Sequence, residues 1–170
     1  MRPLVPRIAI ALLLVLAASP AGATEVWTGR TFTFTRPPNV DYTQAANQDR
    51  ITPLVWITRA GTAGIFNIHD ESAYSSFLSP SGTEWATGDA INHASLTFRP
   101  WQTWCGSNPP ASVGTNAVLH LIAEDIYIDI RFDSWGVQSG GGGAFSYTRA
   151  VNPVVPVASS TWARLKNLYH

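Results

Sequence analysis

The side chains of this chain that could carry chemistry are four histidines, scattered carboxylates, one cysteine and seven tryptophans. Their spacing limits what each can do. His69-Asp70-Glu71 places three potential metal ligands side by side at the end of an apolar segment. Adjacent residues on an extended chain point to opposite faces, so at most two of them can serve one ion, and a solvated loop is the expected reading. His120 lies between Leu119 and Leu121 and reads as a core histidine held by hydrogen bonds. Asp125, Asp129 and Asp133 recur every four residues and share one face of a strand. The outermost pair would be about 26 Å apart at strand rise, too far for a calcium site. Asp129 with a cross-strand glutamate could approach the roughly 5–10 Å separation a glycosidase needs, but nothing in the sequence selects such a pair.

Other chemistries lack their motifs. Gly140–Gly143 is followed by neither Lys-Ser nor a helix pattern, so it is a loop rather than a phosphate cradle. No G-x-S-x-G, H-E-x-x-H or C-x-x-C occurs, so no serine elbow or common zinc spacing is present, and no metal or cofactor is expected. Cys105 is the only cysteine, which rules out a disulfide within the chain and suits a small buried apolar residue. The tryptophans offer more. Trp85, Trp101 and Trp104 fall in one region, flanked by Gln102 and Asn108. An exposed indole flanked by amides suits the apolar face and polar edges of a sugar ring, whereas a buried one is core. Trp85, Trp101, Gln102, Trp104 and Asn108 are therefore the candidate binding residues, and no catalytic set is assigned.

These residues need a scaffold, and strand signals dominate the chain. Thr31–Thr35 alternates phenylalanine with threonine. Ile51–Arg59 reads as a strand with Pro53 near its start, and Ile65–His69 as its hairpin partner. His69–Asp89 reads as irregular, and Ser95–Trp101 as a strand interrupted at Pro100. Ala117–Ala123 is apolar on both faces, Glu124-Asp125 turns the chain, and Ile126–Asp133 alternates isoleucine and phenylalanine with polar residues. Ala144–Arg149 returns after the glycines. Ser159-Ser160 before Trp162, Leu165 and Leu168 fits a short C-terminal helix. The expected fold is all-β: an antiparallel β-sandwich of jelly-roll-like character.

The N-terminus has the form of a secretory signal peptide: Arg2 and Arg7, then apolar Ile8–Ala18, then Ala21-Gly22-Ala23. Cleavage is expected after Ala23, giving a single β-sandwich domain over 24–170 and a secreted or periplasmic address. The apolar run is shorter than the about 20 residues a membrane span needs. Loss of Arg2 and Arg7 leaves nine basic against eleven acidic residues, with no basic stripe, so nucleic acid is not an expected partner.

Several stretches together resemble a family of exported bacterial β-rich proteins of uncharacterised function. They are NQDRITPLVWITR (Asn47–Arg59), GIFNI (Gly64–Ile68), TEWATG (Thr83–Gly88), the Ser95–Trp104 segment, NPPASVG (Asn108–Gly114), LHLIAEDIYIDIRFDSWG and GGGGAFSYTR. The resemblance covers most of Asp49–Arg149 and implies a secreted β-rich domain, with no catalytic residues to carry over. Members often end in a surface-sorting segment, and Thr161–His170 has no such pattern. The functional expectation is an exported non-enzymatic module that binds a polysaccharide or another cell-surface component. A structural subunit of an extracellular assembly is the alternative, with an unusual hydrolase behind it.

Overall fold

The structure is a computed structural model that describes residues 23–137 and 139–152. The expected signal peptide and C-terminal helix therefore lie outside the described residues. Among the described residues, nine strands form two sheets. The larger holds β1 (Glu25–Trp27), β2 (Thr31–Arg36), β6 (Thr83–Thr87), β7 (Asn116–Leu121), β8 (Ile126–Trp135) and β9 (Phe145–Ala150), in the order β2-β9-β8-β7-β6. β1 joins β8 in parallel, where β9 has left it; the other pairings are antiparallel. The smaller sheet is β3 (Asp49–Arg50), β4 (Trp56–Arg59) and β5 (Ile65–Asn67). This is an all-β, sandwich-like fold, as the strand alternation requires.

Residue phase decides which face is buried. Leu119 faces Ile128, Ala117 faces Ile130 and Trp85 faces Leu119, which places all of them on the inner face. Ile57 and Ile65 of the small sheet join the same apolar cluster. The other face of the large sheet carries His120, Tyr127, Asp129 and Arg131, partly covered by the short 3-10 helix Ala90–Ser95.

Three elements differ from the sequence expectation, each for a local reason. Ile51–Arg59 is not one strand: the Thr52 hydroxyl accepts from the Leu54 and Val55 amides, and the chain doubles back there so that Asp49 faces Ile57. Such hydroxyl-anchored turns compete with a ladder, and Pro53 removes one donor from it. Ser95–Trp101 is also not a strand. Only Arg99 bridges to Trp85, and Pro100 leads into the one-turn helix α1 (Trp101–Trp104), a position where its missing N–H costs nothing. In the segment read as irregular, Thr83–Thr87 forms β6, held against β7 over five residues.

One buried ion pair joins the sheets. Asp49 of β3 accepts from Arg149 Nε at 2.7 Å and Nη2 at 2.8 Å, and the Tyr147 hydroxyl donates to it at 2.7 Å. All three side chains are buried. Burial and the Asp49 charge push the Tyr147 phenol well above its usual range. Burial alone would lower the Arg149 guanidinium, but the hydrogen bonds and charge of Asp49 raise it. Removing one member of such a pair strands a charge in the interior. Asp49→Ala is expected to cost about 3–5 kcal/mol of unfolding free energy by chemical denaturation, against less than about 0.5 kcal/mol for an exposed control such as Asp89→Ala, whose side chain makes no capping hydrogen bond.

Candidate functional site

A concavity lies where the glycine loop meets the small sheet, and backbone carbonyls build it. The loop between β8 and β9 folds back so that the Gly136 amide donates to Ala144 O at 2.8 Å. The Asn39 amide likewise donates to Gly142 O at 2.8 Å, and the inward-facing carbonyls have further acceptor capacity. Two buried arginines use it. Arg59 donates through Nη1 to Gly136 O at 2.9 Å and Ala144 O at 2.8 Å, and through Nε to Ala63 O at 2.6 Å. Arg36 donates through Nη1 to Gly142 O at 3.2 Å and through Nη2 to Val40 O at 2.7 Å. The run of glycines lets them come this close: Gly143 has φ +76°, and a Cβ there would lie 2.5 Å from Arg36 Nη1 and 2.6 Å from Gly61 O.

The guanidinium of Arg59 also lies 4.0 Å from the centre of the Trp135 ring. Burial, then repulsion from Arg36, pushes its pKa down to about 10, so it stays charged at neutral pH. Beside it opens a groove of about 410 Å³, lined by Arg59, Tyr74, Ser76, Gln102, Ser107 and Trp135 together with backbone and proline surface. That volume falls at the low end of the roughly 300–1,000 Å³ typical of small-ligand sites. Gln102, from α1, organises one wall. Its Oε1 accepts from the Tyr74 hydroxyl and from the Phe77 backbone amide. A backbone N–H can only donate, so this contact fixes which end of the amide is oxygen and turns Nε2 away from both partners. Phe77 sits at φ 67° and is 70% exposed. An aromatic residue in the left-handed region is uncommon, and the Gln102 hydrogen bond helps to hold it there. Tyr74 packs on Gly64, where a Cβ would meet its ring at 2.4 Å, and edge-on against Trp101.

The tryptophan cluster read from sequence divides. Trp85 and Trp101 are both 0% exposed and belong to the core, so neither offers a ring face to a ligand. Trp85 stacks on both Trp104 and Phe132, which also touch each other, since its alternation on β6 points it inward with Leu119. Trp104 is half-buried, donates to the Thr87 hydroxyl at 3.0 Å, and lines a separate shallow depression with Thr97 and Arg99. Gln102 alone of the five enters the groove, and Asn108 is exposed outside both. Tyr74, Trp135 and Arg59 were not singled out from sequence. The available signal was phase: Arg59 follows Ile57 at the next inward position of β4.

The remaining chemistry is distributed. His120 contacts Glu84 Oε1 through Nδ1 at 2.8 Å and Asp125 Oδ1 through Nε2 at 3.3 Å, and stacks on Tyr127 at 4.1 Å. Both ring nitrogens are thus engaged by protein groups. The Thr24 hydroxyl, His120 and Tyr127 hold the Asp125 carboxyl below its usual range. Asp129 faces Val118 rather than a glutamate, and its Oδ1 accepts from the Ala90 amide at 2.6 Å. Glu71 accepts from the backbone amides of Asn67 and Ser81, which takes it out of any ligand set with His69 and Asp70. Among the described residues, no group of three such side chains could hold a metal ion, and no helix is long and apolar enough to cross a membrane. Cys105 is buried, with its thiol pushed up by that burial.

No family model matches the chain, and comparison with curated proteins and with solved structures yields no match.

The glycine loop makes a direct prediction. Gly143→Ala combines a left-handed φ with two clashes and is expected to lose about 1–3 kcal/mol of stability. Gly140→Ala, with nothing within 4 Å of the added Cβ, should stay within about 0.5 kcal/mol of the parent in the same urea titration.

Proposed function

We propose that this chain is an exported, non-enzymatic β-sandwich module that binds a glycan of a cell surface or matrix through the Arg59–Gln102–Trp135 groove. The observation that carries this reading is the convergence there of aromatic surface from Tyr74 and Trp135 with polar groups from Gln102, Ser76 and Ser107. A sugar ring presents the complementary surface, with apolar C–H faces and hydroxyl edges. The secretory pattern of the N-terminus supports the same reading, because glycans of this kind lie outside the cytoplasm. The site sits on loops braced by two sheets, a common arrangement for recognition surfaces.

A second reading rests on β2. It ends the large sheet, and its outer edge has no partner strand among the described residues. Strand addition along that edge would make the chain a subunit of an extracellular assembly.

Ser76 is exposed at the groove, so Ser76→Trp is expected to fill it without disturbing the core. On a glycan array or in a polysaccharide pull-down, the parent should bind and Ser76→Trp should lose at least about tenfold in affinity at unchanged melting temperature. Absence of any glycan ligand, or equal binding by the variant, overturns the groove reading. Concentration-dependent assembly in light scattering, abolished by a proline in β2, would favour the second.

A further inference from the structure

We propose that the groove selects an acidic sugar, a glycan unit bearing a carboxylate, and that Arg59 supplies the charge that recognises it. The inference rests on the glycan-binding reading above and adds the class of ligand.

The observation is a buried cation without a counter-ion. Arg59 is 2% exposed and lines the groove. A guanidinium has five N–H donors. Arg59 directs one to Ala63 O, two to Gly136 O and Ala144 O, and one, at 3.4 Å, to Thr62 O. One Nη2 N–H remains, and every acceptor is a neutral carbonyl. The charge that bears on it is that of Arg36, which has the same sign. All eleven aspartates and glutamates of the chain lie among the described residues. None reaches Arg59: the ion pairs of the described residues involve His69, His120, Arg131 and Arg149. The lining of the groove contains no carboxylate at all.

A buried charge held only by dipoles and a ring face lacks the compensation that an opposite charge would give. An anion entering the groove supplies it. The neighbouring groups suit a carboxylate. Gln102 turns its Nε2 away from the protein groups that fix its oxygen, and the hydroxyls of Ser76 and Ser107 can donate. Charge-assisted hydrogen bonds of this kind are the stronger ones. Tyr74 and Trp135 leave apolar surface for the ring that bears the acid. A neutral sugar could use the same hydroxyls and aromatic surface, but only the acid brings Arg59 an opposite charge.

The test uses the mature chain and two probes that differ at the carboxyl group: tetragalacturonate and its fully methyl-esterified form, titrated calorimetrically. The free acid is expected to bind at least about tenfold more tightly, with the difference shrinking as salt rises from 50 to 300 mM, as screening requires. Arg59 also holds the glycine loop, so its replacement could unfold the site. Gln102→Glu avoids this. It keeps an oxygen for Tyr74 and Phe77, replaces the Nε2 donor by a carboxylate oxygen, and puts a negative charge into the groove that Arg59 lines. That variant should fold like the parent and lose the preference for the acid. Equal binding of acid and ester, or an undiminished preference in Gln102→Glu, overturns the charge selection and leaves glycan binding standing. Failure of both probes and of every neutral glycan overturns the binding reading together with it.

Discussion

The glycine loop between β8 and β9 turns its carbonyls into the protein, and an unpaired buried carbonyl is costly, so the fold must bring donors to them. Arg36 and Arg59 are such donors, one from an edge strand of the large sheet and one from the small sheet, beside the backbone amides of Asn39 and Gly136. Much follows from this constraint. The loop has to be glycine-rich so that guanidinium groups and backbone can approach it. β4 has to sit where Arg59 reaches across to Gly136 and Ala144. Trp135 has to lie over the guanidinium, whose charge is softened by the ring face as well as by the carbonyls. The groove is the space left beside this joint.

The same device recurs at the other side of the sandwich with a true counter-ion. Arg149 reaches Asp49 and Tyr147 and ties β9 to β3. Arg36, Arg59 and Arg149 all occupy inward positions on their strands, in phase with Phe34, Ile57 and Tyr147. Long arginine side chains are suited to this use, because a planar fork of five donors can satisfy several acceptors at once. The difference in partners separates their roles. Arg149 is neutralised within the chain, whereas Arg59 is satisfied in its hydrogen bonds more fully than in its charge.

On the outer face of the large sheet, Tyr127 stacks with both His93 and His120, and Glu84 and Asp125 flank the second imidazole. This cluster fastens the 3-10 helix and the β7–β8 turn to the sheet. Its arrangement explains why a histidine set between two leucines is compatible with a strand whose neighbours are almost entirely buried: the polar ring lies on the opposite face from Leu119 and Leu121.

The strands legible from the residues alone were β2, β8 and β9, whose apolar positions alternate, and β7, which is apolar on both faces. The β7–β8 turn was legible as an acidic break between two strands, and the glycines as a loop because neither Lys-Ser nor a helix pattern follows them. The sequence did not determine the turn inside Ile51–Arg59 or the helix at Trp101, where a threonine hydroxyl and a proline outweigh β propensity. Nor did it place the tryptophans: aromatic richness marks both cores and binding faces, and only the register of β6 against β7 turned Trp85 inward. Tertiary structure alone brought Arg59, Tyr74, Gln102 and Trp135 to one groove. They come from a strand, a loop, a helical turn and another strand, and sequence distance carries no information about such contacts until the sheets are packed.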